Sequence, residues 1–254
     1  DGHYTANELY KTVTKDENWT SGTEHTTEEF KDKQGRVLLK RTYAQVNGTP
    51  TPHDTHYIYD DYGNLTYVLS PEGSDKILNG SNVVQDVLDG LCYQYRYDHR
   101  NRLVEKKIPG KDWEHIVYNK LDQPVMTRDM ILYQKKNVLF TNYDAFGRVA
   151  YTGMLQFSAA QVPRSALQGY ADGLDPITVS KTEVANDIDG TPIHYTQLQL
   201  PNDTAVEDLF TINYYDDYGF DMPGITAPSD VFGITPSSRT KGLPTGSKIR
   251  VLDT

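Results

Sequence analysis

The chain has 254 residues, a formal net charge of −10 and a hydrophobic fraction of 37%. The negative charge argues against a nucleic-acid binder or a protein that binds anionic membranes, because both normally present a basic surface. No apolar segment approaches the roughly 20 residues of a membrane-spanning helix, and the single cysteine, Cys92, excludes an internal disulfide and a cysteine-rich metal site.

The first half of the chain predicts hairpins with one helical interruption. Residues 1–27 form a polar N-terminal segment, and residues 28–153 are predicted to form a β sheet of repeated hairpins. Within that sheet, residues 70–81 look like a loop. Residues 81–91 carry apolar side chains at helical spacing, which predicts a short helix with Ser81 as its N-cap.

Residues 154–254 are predicted to continue the sheet with irregular, loop-rich segments. Residues 158–171 predict a second short helix, with Pro163 in its first turn. Residues 174–200 predict two strands around a turn at 187–190. The chain begins at Asp1 without an initiator methionine, and residues 248–254 resemble an unfinished strand, so we expect a piece of a longer polypeptide whose targeting signal lies outside it.

One motif recurs along the chain: an aromatic residue, Asp or Asn, two variable residues, then Gly or Asn, often followed by Arg or Asn. It occurs at 57–65, 95–103 and 143–149, as a variant at 118–125, and in altered copies at 30–37 and 214–220. In a type I turn the Asp carboxylate accepts backbone N–H bonds, and the Gly or Asn adopts the positive φ that returns the chain to a strand. The motif therefore predicts a repeated strand–turn–strand unit, with aromatic side chains packing between strands.

The motif residues are Tyr59, Asp60, Gly63, Tyr97, Asp98, Asn101, Arg102, Tyr118, Asn119, Tyr143, Asp144, Gly147, Arg148, Tyr215, Asp216 and Gly219. In the copy at 118–125, Asp122 takes the Gly position and is followed by Gln123 and Pro124, which predicts a different turn.

These segments resemble the tyrosine–aspartate (YD) repeats of RHS proteins, in particular the Bacteroidetes type in which degenerate repeats precede an RHS core. Residues 93–129 and 140–153 carry most of the resemblance, and 212–220 and 240–254 carry the rest. The resemblance implies hairpins wound into an extended, curled sheet. In complete proteins of the family, that sheet closes into a shell that in many cases encloses a C-terminal toxin. The self-cleavage motif of the RHS core is not found in this sequence, so no cleavage residues are inferred.

No catalytic constellation is predicted. The adjacent acids at 60–61 and 216–217 are explained by turn capping, because the first member of each pair occupies the turn position. His53, Asp54 and His56 lie close in sequence, but no HExxH spacing occurs. The acids at 187 and 189 resemble the start of a calcium loop, yet position twelve is Leu198 instead of Glu. We therefore predict no enzyme activity, no cofactor and no metal site.

The expected role is a structural shell or scaffold segment of a larger secreted or surface-exposed bacterial polypeptide that encloses or displays a C-terminal effector. The expected partners are the remainder of that polypeptide, secretion machinery or surface glycans, without nucleic acid or membrane insertion. The alternative is a cell-surface adhesion or carbohydrate-binding module whose aromatic side chains stack on sugars. The candidates for such stacking are Trp19, Trp113, Tyr62 and Tyr218.

Overall fold

The computed structural model describes residues 4–5, 7–79, 85–158, 161–198, 201, 204–221 and 229–251. These residues confirm the predicted fold class, since they are mostly β strands in antiparallel hairpins with short helices. The chain divides into two compact units, unit 1 (Asp1–Glu114) and unit 2 (His115–Thr254). The boundaries at residues 27 and 153, which the sequence analysis placed by composition and repeat content, stay predictions.

Unit 1 is an antiparallel meander in which each strand pairs with the next one in sequence. Its strands are β1 (Tyr10–Lys15), β2 (Thr26–Lys31), β3 (Val37–Val46), β4 (Thr49–Tyr59), β5 (Leu65–Leu69), β6 (Cys92–Tyr97) and β7 (Leu103–Lys107). Two helices, α1 (Pro71–Asn79) and α2 (Gln85–Leu91), connect β5 to β6. The predicted helix near 81–91 is present as α2, whereas Ser81 lies outside the described residues.

The prediction of a loop over 70–81 is wrong, because residues 71–79 form α1. Pro71 and Gly73 are typical of loops, but proline at the first helical position loses no intrahelical hydrogen bond. Gly73 is needed for close packing, since a Cβ atom there would lie 3.0 Å from the Cys92 Sγ. The helix is also bonded to the sheet through the Ser74 Oγ, which lies 3.0 Å from the His56 Nδ1.

Unit 2 combines the remaining sheet strands with an insertion. Its elements are β8 (Glu114–Tyr118, which starts at the last residue of unit 1), β9 (Pro124–Arg128), α3 (Met130–Gln134), β10 (Asn137–Tyr143), β11 (Val149–Phe157), α4 (Arg164–Gly173), β12 (Lys181–Ile188), β13 (Thr191–Tyr195), β14 (Thr204–Tyr215) and β15 (Pro244–Ile249). Strands β8 to β11, β14 and β15 pair in that order, and β12 and β13 form a separate hairpin. The second predicted helix is present as α4, and Pro163 precedes it as the N-cap residue.

The core of unit 2 lies between its sheet and this insertion. Tyr151 and Leu155 of the sheet pack in one cluster with Leu167 of α4 and Ile193 of the β12–β13 hairpin. Strands β11 and β14 approach each other closely at Gly153, where a Cβ atom would clash with the Asp208 carbonyl. The insertion therefore gives the sheet of unit 2 the second layer that a buried core requires.

Candidate functional site: turns and tyrosine contacts

The Asp60 turn shows how the repeated motif folds. The Asp60 Oδ1 accepts hydrogen bonds from the backbone N–H groups of Tyr62 (3.0 Å) and Asn64 (2.8 Å), and its Oδ2 accepts one from the Asn64 Nδ2 (3.0 Å). The backbone N–H of Gly63 donates to the Asp60 carbonyl (3.0 Å), and Gly63 has a φ of 85°. One carboxylate thus satisfies three donors and sets the direction in which the second strand leaves.

The same backbone bonds recur in the turns at 32–36, 98–102 and 144–148. In these turns an arginine four residues after the aspartate donates its Nε to the second carboxylate oxygen. The bonds are Asp32–Arg36 (2.6 Å), Asp98–Arg102 (2.8 Å) and Asp144–Arg148 (2.6 Å). Asn101 takes the positive-φ position in the second of these turns, at 58°.

The prediction of a different turn at 118–125 is wrong. The Asn119 Oδ1 accepts from the N–H groups of Leu121 (2.9 Å) and Gln123 (3.0 Å), as the aspartates do elsewhere. Its Nδ2 donates to the Gln123 Oε1 (2.8 Å), and Asp122 adopts the positive φ, at 60°. An amide oxygen is sufficient here because the backbone N–H groups need only an acceptor. Asp, like Asn, tolerates the left-handed region.

Four tyrosine hydroxyls each connect a turn to the turn of the preceding hairpin. In every case the hydroxyl donates to the carbonyl of the residue five positions after the turn Asp or Asn of the preceding hairpin. The pairs are Tyr59–Val37 (3.1 Å), Tyr97–Leu65 (3.0 Å), Tyr143–Pro124 (3.0 Å) and Tyr215–Val149 (3.0 Å). We call this bond the tyrosine joint. The backbone N–H and carbonyl of Tyr118 are bonded to the Gln168 side chain of α4, at 3.2 and 2.7 Å.

The turn arginines add a second contact to the joint. The Arg36 guanidinium lies 5.1 Å from the ring centre of Tyr59, and the Arg148 guanidinium lies 4.2 Å from that of Tyr215. Each arginine therefore binds the aspartate of its own turn and the face of the next tyrosine, a cation–π arrangement.

The copy at 214–220 departs from the predicted hairpin. Tyr215 keeps the joint, but the strand after it returns only at Pro244, which pairs with Tyr215 across β14 and β15. Asp216 itself takes a positive φ of 73°, and its carboxylate binds the Arg148 Nη1 (3.1 Å) and Nη2 (2.7 Å) and the Gly242 N–H (2.6 Å). Gly219 donates its N–H to the neighbouring Asp217 Oδ1 (2.7 Å).

The bonds at these turns shift the pKa values of the groups involved. The Arg148 guanidinium and the Gly242 N–H lower the pKa of Asp216 to about 2. The Asn64 side chain and the backbone donors around it lower the pKa of Asp60. Burial raises the pKa of the joint tyrosines Tyr59, Tyr97, Tyr143 and Tyr215. At neutral pH Asp216 and Asp60 are therefore charged acceptors, and the hydroxyls of the four tyrosines keep the proton that they donate.

The aromatic residues considered for sugar stacking differ in their accessibility. The Lys15 Nζ lies 3.2 Å from the ring centre of Trp19, and the Arg96 guanidinium lies 4.1 Å from that of Trp113. One face of each tryptophan is therefore occupied by a cation of the same chain. Tyr62 is 83% exposed and Tyr218 is 48% exposed.

The sequence neighbours that could bind a metal are separated in the structure. On β4 the Asp54 carboxylate accepts two hydrogen bonds of 2.7 Å from Arg41. His53 and His56 point to opposite faces of the strand, because they are three residues apart. Within the described residues, no three His, Cys, Asp or Glu side chains are grouped so that they could hold a metal ion. Cys92 is buried, and that burial raises the pKa of its thiol.

The pairings of the turn arginines are not evident from the sequence. Arg36, Arg102 and Arg148 occupy the same position in three turns, which indicates a shared partner. The pattern alone does not show that Arg36 and Arg148 also cover the next tyrosine. Among the described residues, no helix has the length and apolar character needed to cross a membrane.

No protein-family model matches the sequence, and no curated protein matches it either. Solved structures give partial matches. A mutant of the Photorhabdus luminescens Tc holotoxin pore is 13% identical with a TM-score of 0.41, and the match covers 79% of this chain and 10% of that chain. A TcdB2–TccC3–Cdc42 crystal structure is 14% identical with a TM-score of 0.41, over 78% of this chain and 10% of that one. TcdB2–TccC3 without its hypervariable C-terminal region is 14% identical with a TM-score of 0.40, over 74% of this chain and 10% of that one.

The chain thus spans about a tenth of the length of the solved structures that it matches. Superposition at this level is too weak to establish a common fold.

Proposed function

We propose that this chain is a wall segment of a larger, secreted RHS-type polypeptide, in which successive hairpins form a sheet around a C-terminal effector. The observation that carries the proposal is the tyrosine joint. The same hydroxyl–carbonyl bond recurs at Tyr59, Tyr97, Tyr143 and Tyr215. A contact that links one hairpin to the next in the same way each time supports a wall that grows by adding equivalent units.

The hydrogen bonds that the turn aspartates accept support a structural role rather than catalysis. A catalytic carboxylate needs an oxygen that is free to reach a substrate. In the repeat turns both oxygens of Asp98 and of Asp144 accept hydrogen bonds from their own turn. We therefore propose that the chain is not an enzyme and that its main partner is the remainder of its own polypeptide.

The test uses the longer polypeptide with its natural downstream sequence. Limited proteolysis followed by mass spectrometry compares cleavage of the downstream sequence in this context with cleavage of the same sequence expressed alone. If the sheet encloses the downstream sequence, cleavage is expected to be slower by about ten-fold or more, because a protease reaches that sequence only in molecules whose sheet has opened. A double variant that breaks one joint and one turn, Tyr143→Phe with Arg148→Met, is expected to restore much of the cleavage.

The matched control is Asp187→Ala in the β12–β13 turn, where the Asp187 Oδ1 accepts from the Gly190 N–H at 2.9 Å without taking part in a joint. This variant is expected to keep the protection. Equal cleavage of the downstream sequence in both contexts would contradict enclosure. Saturable glycan binding that is lost in Tyr62→Ala would instead favour the adhesion module.

A further inference from the structure

In unit 1, β3 extends beyond the end of β2, and we call this place the step. The last residue pair between these strands is Thr27–Thr42. The following residues, Tyr43–Val46, pair with β4. The register of β2 and β3 puts Thr26 beside Tyr43, and beyond it no β2 residue pairs with Ala44–Val46 within the described ranges. A strand edge of three residues is therefore open to pairing with an extended chain.

A polar cleft of about 590 Å³ lies at this step. Its lining residues are Thr14, Asp16, Glu24, His25, Thr26, Thr27, Thr42, Tyr43 and Gln45. They include two carboxylates and no lysine or arginine. The Glu24 Oε1 is buried without a hydrogen-bond partner among the described residues. A buried carboxylate oxygen that lacks a donor is costly, so this cleft favours a ligand that brings an N–H donor and a positive charge.

The wall of the cleft is ordered by bonds within the β1–β2 connection. The Asp16 N–H donates to the His25 carbonyl (3.0 Å), and the Asp16 Oδ1 accepts from the Asn18 N–H (2.8 Å). The Asp16 Oδ2 lies 3.2 Å from the His25 Nδ1. The Thr26 hydroxyl donates to the Thr23 carbonyl at 2.5 Å. The cleft therefore exists without a ligand, which lowers the entropic cost of binding.

We propose that this step binds an extended basic peptide segment by strand addition. The backbone of the segment pairs with the free edge of Ala44–Val46, and a lysine or arginine side chain enters the cleft and donates to Glu24 and Asp16. Successive side chains of a strand point to opposite faces, so only alternate residues of the segment need to be basic. Threonine hydroxyls such as that of Thr42 accept the remaining donors of the cation.

An extended peptide fits both features, whereas simpler ligands fit only one. A metal ion is disfavoured because no metal-binding cluster is present among the described residues. A free polyamine satisfies the carboxylates but leaves the backbone edge of β3 unpaired. This proposal does not depend on the wall-segment function, because it concerns a different part of unit 1.

The experiment measures binding of a capped peptide of alternating lysine and threonine to the whole chain by isothermal titration calorimetry. We expect saturable binding that weakens with added salt, because the contact is between opposite charges. Glu24→Gln is expected to weaken it by about five-fold or more, since it removes the charge that faces the ligand. The matched control is Glu17→Gln, an exposed acid of the same connection that does not line the cleft.

A second peptide tests the strand addition itself. N-methylation of alternate backbone nitrogens removes the N–H donors but keeps the lysine side chains, so binding is expected to be lost. Undiminished binding of the N-methylated peptide would overturn the strand addition. Equal effects of Glu24→Gln and Glu17→Gln would overturn the assignment of the cleft. Thermal melting of both variants confirms that any loss is not a loss of folding.

Discussion

Units 1 and 2 share the turn and the tyrosine joint but differ in how much apolar surface they bury. In the described part of unit 1 the buried apolar residues are Leu69, Cys92 and Val104. In unit 2 the sheet, α4 and the β12–β13 hairpin form one continuous core. The joint therefore occurs both in a unit with few buried apolar residues and in a unit with a continuous core, and a core requires a second layer over the sheet.

Unit 1 relies more on contacts between charged side chains. Arg41 pairs with Asp54 (2.7 Å) across β3 and β4, and Lys11 pairs with Glu28 (2.7 Å) across β1 and β2. Ion pairs of this partly exposed kind contribute little to stability, typically about 1 kcal/mol or less. We therefore expect unit 1 to open more readily than unit 2. Both tryptophans lie in unit 1, so tryptophan fluorescence reports on that unit alone.

The largest expected effect comes from the aromatic stack of unit 2. Tyr214 is fully buried and lies between Tyr195 and Phe220, with ring centres 5.5 and 4.3 Å away. Tyr214→Ala is expected to lower the free energy of unfolding by about 4 kcal/mol, because it removes a large ring from a packed core. Tyr93→Ala in unit 1, where Tyr93 is 40% exposed, is expected to cost about 1 kcal/mol. Urea unfolding followed by circular dichroism checks both, and equal losses would contradict the difference between the units.

A smaller loss is expected where β11 and β14 meet. Gly153→Ala places a Cβ atom against the Asp208 carbonyl and 2.7 Å from the Phe140 ring, so we expect a loss of about 3 kcal/mol from overpacking. Gly169→Ala in α4 is the control, because a Cβ atom there has no neighbour within 4 Å. It is expected to stabilise unit 2 by about 0.5–1 kcal/mol, since alanine is the better helix former. A Gly153→Ala variant with the parent's melting temperature would refute the close approach.

An intermediate loss is expected in the turn at 144–148. Gly147 has a φ of 78°, a conformation that a β-branched residue adopts only under strain. Gly147→Val is therefore expected to destabilise unit 2 by about 2 kcal/mol. Differential scanning calorimetry checks the shift, and tryptophan fluorescence of unit 1 is expected to remain that of the parent. An unfolding transition at the parent's temperature would contradict the positive φ assigned to Gly147.

The joint itself predicts equal effects in the two units. Tyr97→Phe removes the bond to the Leu65 carbonyl, and Tyr143→Phe removes the bond to the Pro124 carbonyl, each 3.0 Å long. Each change is expected to cost about 1 kcal/mol, the net value of one hydrogen bond. Hydrogen exchange of the amides around each joint measures the local loss. A loss in one unit without the other would show that the joints are not equivalent.

The smallest expected effect is a loss of stability at low pH. The Arg148 guanidinium holds the pKa of Asp216 at about 2, below the value of about 3.9 in an unfolded chain. A lowered pKa means that the stabilisation is present above pH 4 and is lost as the pH falls from about 4 to 2. NMR titration of the Asp216 carboxyl carbon checks the value, and Arg148→Met is expected to raise it. A titration unchanged by that variant would contradict the pairing.

The sequence predicts well those features that depend on neighbouring residues. The contacts of Asp60 and Asp144 lie within four residues of each aspartate, so the spacing of the motif contains the information for the turn. The helix α1 escaped prediction because Pro71 and Gly73 favour loops locally, and the reason for Gly73 is a distant sulfur atom at Cys92.

The altered copy at 214–220 illustrates the limit of local patterns. Its residues match the motif, but Asp216 is bound by Arg148, far away in sequence, and by Gly242 beyond a long connection. The pairing of Tyr215 with Pro244 depends on that connection, and no motif in residues 214–220 encodes it. The acidic cleft at the end of β2 was missed for a similar reason, because it depends on the unequal lengths of two paired strands.

The tyrosine joint also has a direction. Each hydroxyl reaches back to a carbonyl that occurs earlier in the chain, as Tyr59 does to Val37 and Tyr97 to Leu65. A hairpin emerging from the ribosome can therefore complete its link at once, without waiting for later sequence. The chain can therefore fold vectorially, one hairpin at a time, from its amino to its carboxyl end.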